Sequence, residues 1–484
     1  MRITNKIMQN NSLTNINSNK VLQDSLSTQT ATQKKISRPS EDPIIALRSL
    51  RLRTSVNQTT QYLEKNVEDA NSWLTVTEDA ITTLSEIITD IRKQYVKGAS
   101  DSLTVSDRDI IRENLEALAA EVFNTGNVDF AGRSVFTGYR TDSSLTFKES
   151  TTLEYSVCEN INAESADKVS FVHTGDLKAD GTVEQDVYSG DVDRIRLAYE
   201  NCEDKDITLS YSDGITTTNL SPVKMSSTAV PSPYEYVYNN PDETVFVPET
   251  GEVLIGADVA QDALKDGSSF FVNYFKVEWS KGDLKPEHYF ECEDANGIQY
   301  NVSGANGEIE YNIGVNQSIR VNTLASECFN HSIGRDIDDL INAIDEVEHI
   351  EATISDLKAE LNAIDETDTA ARRVVSDKID AARKTQTYLN GKLHKLFSDG
   401  IAKADSYLNQ NNLALTDCGT RSKRLDLIKN RLDTQLSTLN ELKSENEDSD
   451  LAETAIKLKS AQYAYDASLM STAKIMQETL LDYI

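Results

Sequence analysis

Residues 63–95 read LEKNVEDANSWLTVTEDAITTLSEIITDIRKQY, and the spacing of their apolar side chains decides the fold. Leu63, Val67, Ala70, Leu74, Thr77, Ile81, Leu84, Ile88, Ile91 and Tyr95 are separated by four and three residues in alternation. A helix places all of them on one stripe, and a stripe repeating every ~3.5 residues faces a partner helix. Such a helix is about 50 Å long at ~1.5 Å per residue. Leu63, Val67, Leu74, Ile81, Leu84, Ile88 and Ile91 are its expected bundle core. Gly98 ends it. Ser106 with Asp109 predicts the N-cap of the next helix, which carries Ile111, Leu115, Leu118 and Val122 and stops near Gly126.

The C-terminal third repeats the pattern. Ile337, Ile341, Ile344, Val347, Ile350, Ile354, Leu357, Leu361 and Ile364 form one stripe, and Val375, Ile379, Ala382, Leu389, Leu393 and Leu396 another. Ser398-Asp399-Gly400 reads as a break, after which Leu425, Ile428, Leu432, Leu436, Leu439 and Leu442 resume. The last segment places Leu451, Ala455, Leu458, Tyr465, Leu469 and Met476 at heptad spacing. The first forty residues differ, because Ile3, Ile7, Leu13, Ile16, Val21, Leu22 and Leu26 are sparse among Asn, Ser, Gln and Thr. Such a segment buries too little to offset its own ordering entropy, so it needs a partner surface.

Between the helical ends the composition changes. Residues 151–330 hold 12 of the 20 Gly and 11 of the 19 Tyr, and six of the eight Pro lie between Pro222 and Pro286. Tyr274–Trp279 and Ile309–Ile313 alternate with period two, as strands do. Gly132–Arg140 reads as a hairpin leading into this block. The fold class expected is α+β: a long antiparallel helical coiled-coil bundle built from both termini, with a β-rich middle inserted. The segments are 1–40, 41–145, 146–330, 331–446 and 447–484, the first and last being assembly helices.

Charge limits the function. The chain has 48 basic and 79 acidic residues, a net charge of −31. The middle block alone has 11 basic and 32 acidic residues, a net of −21. That balance speaks against nucleic acid, whose phosphates call for clustered Lys and Arg, and against an anionic membrane surface. Met1–Lys20 has no apolar block of the secretory type. The five cysteines, Cys158, Cys202, Cys292, Cys328 and Cys418, form no CxxC pair. Cys328 and His331 stand one helical turn apart, but nothing nearby completes a metal site. Acidic runs such as Asp191-Val192-Asp193 lack the Gly and Glu of a helix–loop–helix calcium site. No phosphate-binding, nucleophile-elbow or zinc-helix motif is present. Neither enzyme chemistry nor a cofactor is expected.

Four stretches then resemble a known family, the bacterial flagellins and hook-associated proteins. Gln33-Lys34-Lys35-Ile36-Ser37-Arg38-Pro39-Ser40-Glu41-Asp42-Pro43-Ile44-Ile45-Ala46 is similar to the segment after the first helix in that family. Gly132-Arg133-Ser134-Val135-Phe136-Thr137-Gly138-Tyr139 resembles its hairpin motif, and Cys418-Gly419-Thr420-Arg421-Ser422-Lys423-Arg424-Leu425 its Gly-x-Arg and Arg-Leu signature. The ending from Tyr463 to Tyr483 resembles the hook–filament junction branch, and so does the Pro-Ser-Glu-Asp-Pro form of the first stretch. The resemblance covers residues 1–145 and 335–484.

It implies export through the flagellar type III apparatus, an extracellular location on the flagellum, and assembly into a ring that adapts the hook to the filament, the alternatives being a flagellin-type filament subunit or a shaft protein carrying a ligand-binding outer domain. It implies as partners further copies of the chain, a neighbouring hook-associated protein, flagellin, and an export chaperone at the C-terminal region. Residues 1–35 would pair with 447–484, with Ile3, Ile7, Leu451, Leu458, Tyr465, Leu469, Met476 and Leu480 at the assembly interface.

Overall fold

The computed structural model describes residues 5–100, 103–177, 183–205, 207–212, 214, 216–300 and 307–481. The helices are α1 (Asn5–Thr32), α2 (Pro43–Gln61), α3 (Glu68–Gly98), α4 (Val105–Thr125), α5 (Pro233–Asn239), α6 (Ala257–Ala263), α7 (Ala325–Cys328), α8 (Ser332–Ala363), α9 (Thr369–Glu447) and α10 (Leu451–Leu481). A π-helical turn, Tyr62–Val67, joins α2 to α3, and the flanking residues keep right-handed helical dihedrals. The helix predicted from Leu63 therefore begins twenty residues earlier, at Pro43.

The chain clusters into two compact units. One holds residues 1–70, 311–319 and 423–484, and the other residues 71–310 and 320–422. In the larger unit the predicted heptads make the core: Leu74, Ile81, Leu84, Ile88 and Ile91 of α3 are buried, with Leu389, Leu393, Phe397 and Ala404 of α9. Each such side chain contributes about 1.5–3 kcal/mol on burial. Asn411 sits in this core at 0 % exposure, donating from Nδ2 to Ile81 O at 2.9 Å and Ser85 Oγ at 2.5 Å. One polar group with fixed partners inside an apolar seam sets the register of α9 on α3. Ile111, Leu115 and Val122 of α4 and Ile337, Leu340, Ile344 and Val347 of α8 are buried where these two helices pack.

Two predicted boundaries are corrected. Thr104, not Ser106, caps α4: its hydroxyl accepts from Asp107 N while the Asp107 carboxylate accepts from Thr104 N, so the box closes two residues earlier. Ser398-Asp399-Gly400 does not break the chain, because α9 runs through it. Gly400 is small for packing: a Cβ there would stand 3.0 Å from the Tyr95 ring, and one on Gly98 would overlap Phe397. The polar N-terminus is a helix of 28 residues, α1.

The strands form two main sheets. A six-stranded one runs in the order Gln299–Tyr300, Glu291–Asp294, Thr151–Asn162, Ser269–Trp279, Thr208–Ser212, Thr217–Leu220. A five-stranded one runs Val223–Lys224, Thr244–Val247, Glu252–Ile255, Tyr188–Arg196, Asp167–His173. The predicted alternation in Tyr274–Trp279 lies inside the central strand, whose Phe270, Val272, Tyr274 and Trp279 point inward. Of the predicted hairpin Gly132–Arg140, only Arg133–Ser134 is a strand, and it pairs with Asp129–Phe130 before it. They are joined through Ala131 and Gly132 at φ +52° and +78°.

A carboxylic acid is built into the apolar side of the six-stranded sheet. Glu159 is 4 % exposed, accepts from the Tyr274 hydroxyl and from Ala198 N at 3.0 Å, and has no cation in contact. Burial pushes its pKa up to about 7. The folded value lies above the unfolded one, so the stability it permits is complete below the ordinary glutamate range and is lost as pH rises through 7. About 3 kcal/mol is at stake for a shift of this size. Glu159→Gln is expected to lessen the fall of the thermal midpoint between pH 5 and 8 and to exceed the native protein at pH 8. Calorimetry across that range checks it.

Candidate assembly surface

The smaller unit begins with a tie between the chain's two ends. Lys35 N donates to Glu447 O at 2.8 Å and Ser449 N to Gln33 O at 2.9 Å, a short antiparallel bridge. Glu447 lies beneath it, its side chain 5 % exposed. It accepts from Arg53 Nε and Nη2, both at 2.7 Å, and from Ser49 Oγ at 2.5 Å. The Arg53 bonds, against the opposing effect of burial, hold its pKa at about 2. Lys34 Nζ meets Asp448 Oδ1 at 2.5 Å.

The Pro-Ser-Glu-Asp-Pro stretch builds the next helix start. Glu41 accepts from Ser37 N and Oγ, both at 2.8 Å, rounding the turn. Asp42 accepts from Ile44 N at 2.9 Å as N-cap, and Pro43 takes the first helical position, where no N–H is needed. Sequence reasoning did not single out Glu447, Arg53 or Asp448. The signal was a Lys-Lys pair near one end and Glu447-Asp448 near the other.

α1 packs along α10. On α1 between Gln9 and Leu26 the partly or fully covered positions are Gln9, Ser12, Ile16, Asn19, Gln23 and Leu26; on α10 they include Thr454, Leu458, Ala461, Tyr465, Ser468 and Thr472. Both sets follow heptad spacing, yet most are polar or small, and Asn19 Nδ2 donates to Ser468 Oγ at 2.7 Å. The pairing seam is thus offset from the apolar heptad read in the sequence. Leu458 and Tyr465 belong to both, while Ile7, Leu451 and Leu469 are exposed. Ile3 and the side chains of Met476 and Leu480 lie outside the described residues.

Apolar side chains remain uncovered on the outer faces. Ile456, Tyr463 and Met470 are 71 %, 72 % and 74 % exposed and stand seven residues apart on α10. Ile44, Leu47 and Leu50 on α2 and Leu13, Val21 and Leu22 on α1 are exposed too. Of the 28 large apolar side chains exposed among the described residues, 16 fall in the smaller unit, which has 141 of the 484 positions. Monomeric proteins rarely concentrate exposed apolar surface in this way, and such concentrations mark interaction surfaces.

The expected bundle-core residues divide by burial: Val67, Leu74, Ile81, Leu84, Ile88 and Ile91 are buried, and Leu63 is half-buried. Each of the two remaining motif stretches places side chains in the larger unit. Arg421 is 9 % exposed and donates to Asn322 O at 2.7 Å and Thr323 Oγ1 at 3.0 Å. Arg133 lies over the Trp73 ring at 4.9 Å, and Phe136 stacks edge-on against Phe329 at 4.9 Å. Removing the buried Arg421 guanidinium strands a backbone carbonyl and a hydroxyl. Arg421→Ala is therefore expected to cost about 2–3 kcal/mol, read as a lowered urea midpoint with unchanged slope.

The smaller unit thus presents a pair of terminal helices with uncovered apolar faces, and the larger unit holds a helical bundle. Residues 3–141 match the bacterial flagellin N-terminal helical region, so the resemblance to that superfamily is shown for this part of the chain. Flagellar hook-associated protein 3 of Salmonella typhimurium (strain LT2) is 26 % identical over 144 residues, 30 % of this chain and 45 % of that protein. The protein of the same name from Escherichia coli K12 is 25 % identical over 179 residues, 36 % and 56 % of the two chains. The chain thus spans about half the length of the curated relatives it matches. The crystal structure of flagellar hook-associated protein-3 from Legionella pneumophila is 12 % identical, covering 81 % of this chain and 97 % of that one at a TM-score of 0.31.

Proposed function

We propose that this chain is a structural component of the bacterial flagellum, a ring-forming junction protein that adapts the hook to the filament. The observation that carries the reading is the concentration of uncovered apolar side chains on α1, α2 and α10. The names of the matched relatives support it. Residues 1–40 and 447–484 act as the assembly segments, 41–145 and 331–446 as the bundle, and 146–330 as the acidic outer part. The terminal pair lines the channel, with Ile7, Leu451 and Leu469 among the contacts to neighbouring copies. Further partners are the adjoining hook-associated protein, flagellin and an export chaperone at the C-terminal region. Type III export and an extracellular location follow from the same reading, as does a role without catalysis.

Electron microscopy of cells lacking the gene, with the culture medium assayed for flagellin, tests the role. Bare hooks with flagellin shed into the medium are expected. Missing filaments without shed flagellin would make the chain a filament subunit instead, and normal filaments would overturn the junction role.

The monomer offers a second check. The α1–α10 seam is mostly polar and small, so it gains little from burial and opens at low cost. Limited proteolysis of dilute monomer should trim both ends and leave the bundle resistant. Equal resistance of the ends would contradict ordering on assembly.

A further inference from the structure

α2 reads PIIALRSLRLRTSVNQTTQ, with Arg48, Arg51 and Arg53 and no acidic side chain, in a chain whose net charge is −31. Arg53 is held by Glu447. Arg48 and Arg51 are exposed, and among the described residues neither has an ion-pair partner. Ile44, Leu47 and Leu50 beside them are each more than half exposed. These five share the outward side of the helix, while Ile45, Ser49 and Val56 on the other side are half-buried.

The last turns of α9 carry the converse. Residues 441–450 hold five acidic side chains against one Lys. Glu447 and Asp448 are paired with Arg53 and Lys34. Glu441 and Glu445 are exposed without an ion pair among the described residues, since Lys35 reaches only the backbone carbonyl of Glu445. Leu442, also exposed, stands next to them.

Both patches lie in the smaller unit. Arg48 and Arg51 are three residues apart and Glu441 and Glu445 four, which sets the Cβ atoms of each pair about 5–6 Å from one another. Like charges at that spacing repel, and a surface bearing the opposite pair relieves both helices at once. Within one chain the patches cannot meet. α2 and α9 already touch through their other sides, where Ser49 and Arg53 bond Glu447 and Asn446 Nδ2 donates to Ile45 O at 3.1 Å. A second copy supplies the missing partner. Because the two patches differ, the contact runs head to tail and extends to rings or filaments.

We propose that α2 of one copy docks on the last turns of α9 of the next, with Arg48 and Arg51 against Glu441 and Glu445 and with Leu47 and Leu50 against Leu442. The contact rests on the self-assembly already proposed for the chain and gives it a polarity, since every copy offers one basic face and one acidic face.

Sedimentation velocity on the full chain tests it with two double variants, Arg48→Glu with Arg51→Glu and Glu441→Lys with Glu445→Lys. All four positions are exposed, so both variants should melt at the native temperature. Each alone should need roughly tenfold more protein to associate, or higher, since two attractions become two repulsions. An equimolar mixture should associate at the native concentration, because each variant then meets its complement on the other. A general effect of net charge is separated by the same pair: the first variant is more acidic than the native chain and the second less so, yet both should lose association. Where a double variant melts lower, Arg51→Glu and Glu441→Lys alone replace the doubles and should show the same recovery on mixing. Native association by either variant alone would overturn the contact while leaving self-assembly standing. Failure of the mixture to recover would overturn the head-to-tail pairing. A native chain that stays monomeric at the highest concentration reached would overturn self-assembly and this contact with it.

Discussion

Replacing Ile456 and Tyr463 together by glutamate is expected to leave the monomer folded and to abolish its assembly. Both side chains stand more than two-thirds exposed on the outer face of α10, one heptad apart, and neither touches the seam with α1. In the free chain a glutamate there is as well solvated as any surface charge. In a ring the same positions are covered by a neighbouring copy, and each lost apolar contact costs about 1.5–3 kcal/mol. Two such losses per subunit raise the concentration needed for assembly by roughly two to four orders of magnitude. Circular dichroism should be unchanged, sedimentation should show monomer under conditions where the native chain associates, and cells should carry bare hooks. Ala461→Glu is the control with the opposite signature. Ala461 is 5 % exposed inside the seam, so its replacement should separate α10 from α1 in the monomer itself and reduce helicity. If the double variant assembles normally, α10 does not present the assembly face.

The second large effect lies in the β-rich region. Arg194 and Arg196 on the strand Tyr188–Arg196 are both buried. Arg194 bonds Glu252 Oε1 at 2.5 Å and Asp339 Oδ2 at 2.8 Å, while Arg196 bonds Asp339 at 2.6 Å and also Asp336. Lys403 adds Asp167 at 3.0 Å and Asp336 at 2.9 Å, and the Tyr407 hydroxyl donates to Asp336. The network joins the five-stranded sheet to α8 and α9. Deleting Arg194 leaves Glu252 buried without a cation and Asp339 with Arg196 alone, which costs about 3–5 kcal/mol. Arg194→Met is therefore expected to lower the urea midpoint of the larger unit more than any surface change, with Trp279 fluorescence as a local reporter.

The pH dependence of the same network has a definite sign. Burial alone would raise Asp339, but Arg194 and Arg196 hold it down at about 2. Its folded value is depressed, so its contribution is complete above the ordinary aspartate range and is lost as pH falls toward 2. Arg194→Met should blunt that acid sensitivity.

Much of the helical architecture was legible because burial on a helix has a period that sequence displays. Leu74, Ile81, Leu84 and Ile88 could be placed from spacing alone, and the alternation through Tyr274–Trp279 was equally plain. The terminal seam was not. Its contacts run through Thr454, Ala461, Asn19 and Ser468, small or polar groups that carry no hydrophobic signal, so the apolar heptad beside them was read as the pairing face. The same limit explains Gly400: in sequence a Ser-Asp-Gly run has the chemistry of a turn, and only the Tyr95 ring against it reveals a packing role. The clamp at Glu447 was hidden for a different reason. It joins residues almost 400 positions apart, and no local pattern records such a contact.

Ala325 N donates to Phe136 O at 2.9 Å, so the chain leaves the helical bundle for its strands and rejoins it at neighbouring points. Topologically the β region is a closed excursion, pinned back to α8 and α9 where Arg194, Arg196 and Asp167 meet Asp336, Asp339 and Lys403. Such a point of departure and return lets an insertion lengthen, shrink or be exchanged over generations while the bundle keeps its register. It also marks Phe136 and Ala325 as the sites at which a foreign domain with adjacent ends could be grafted.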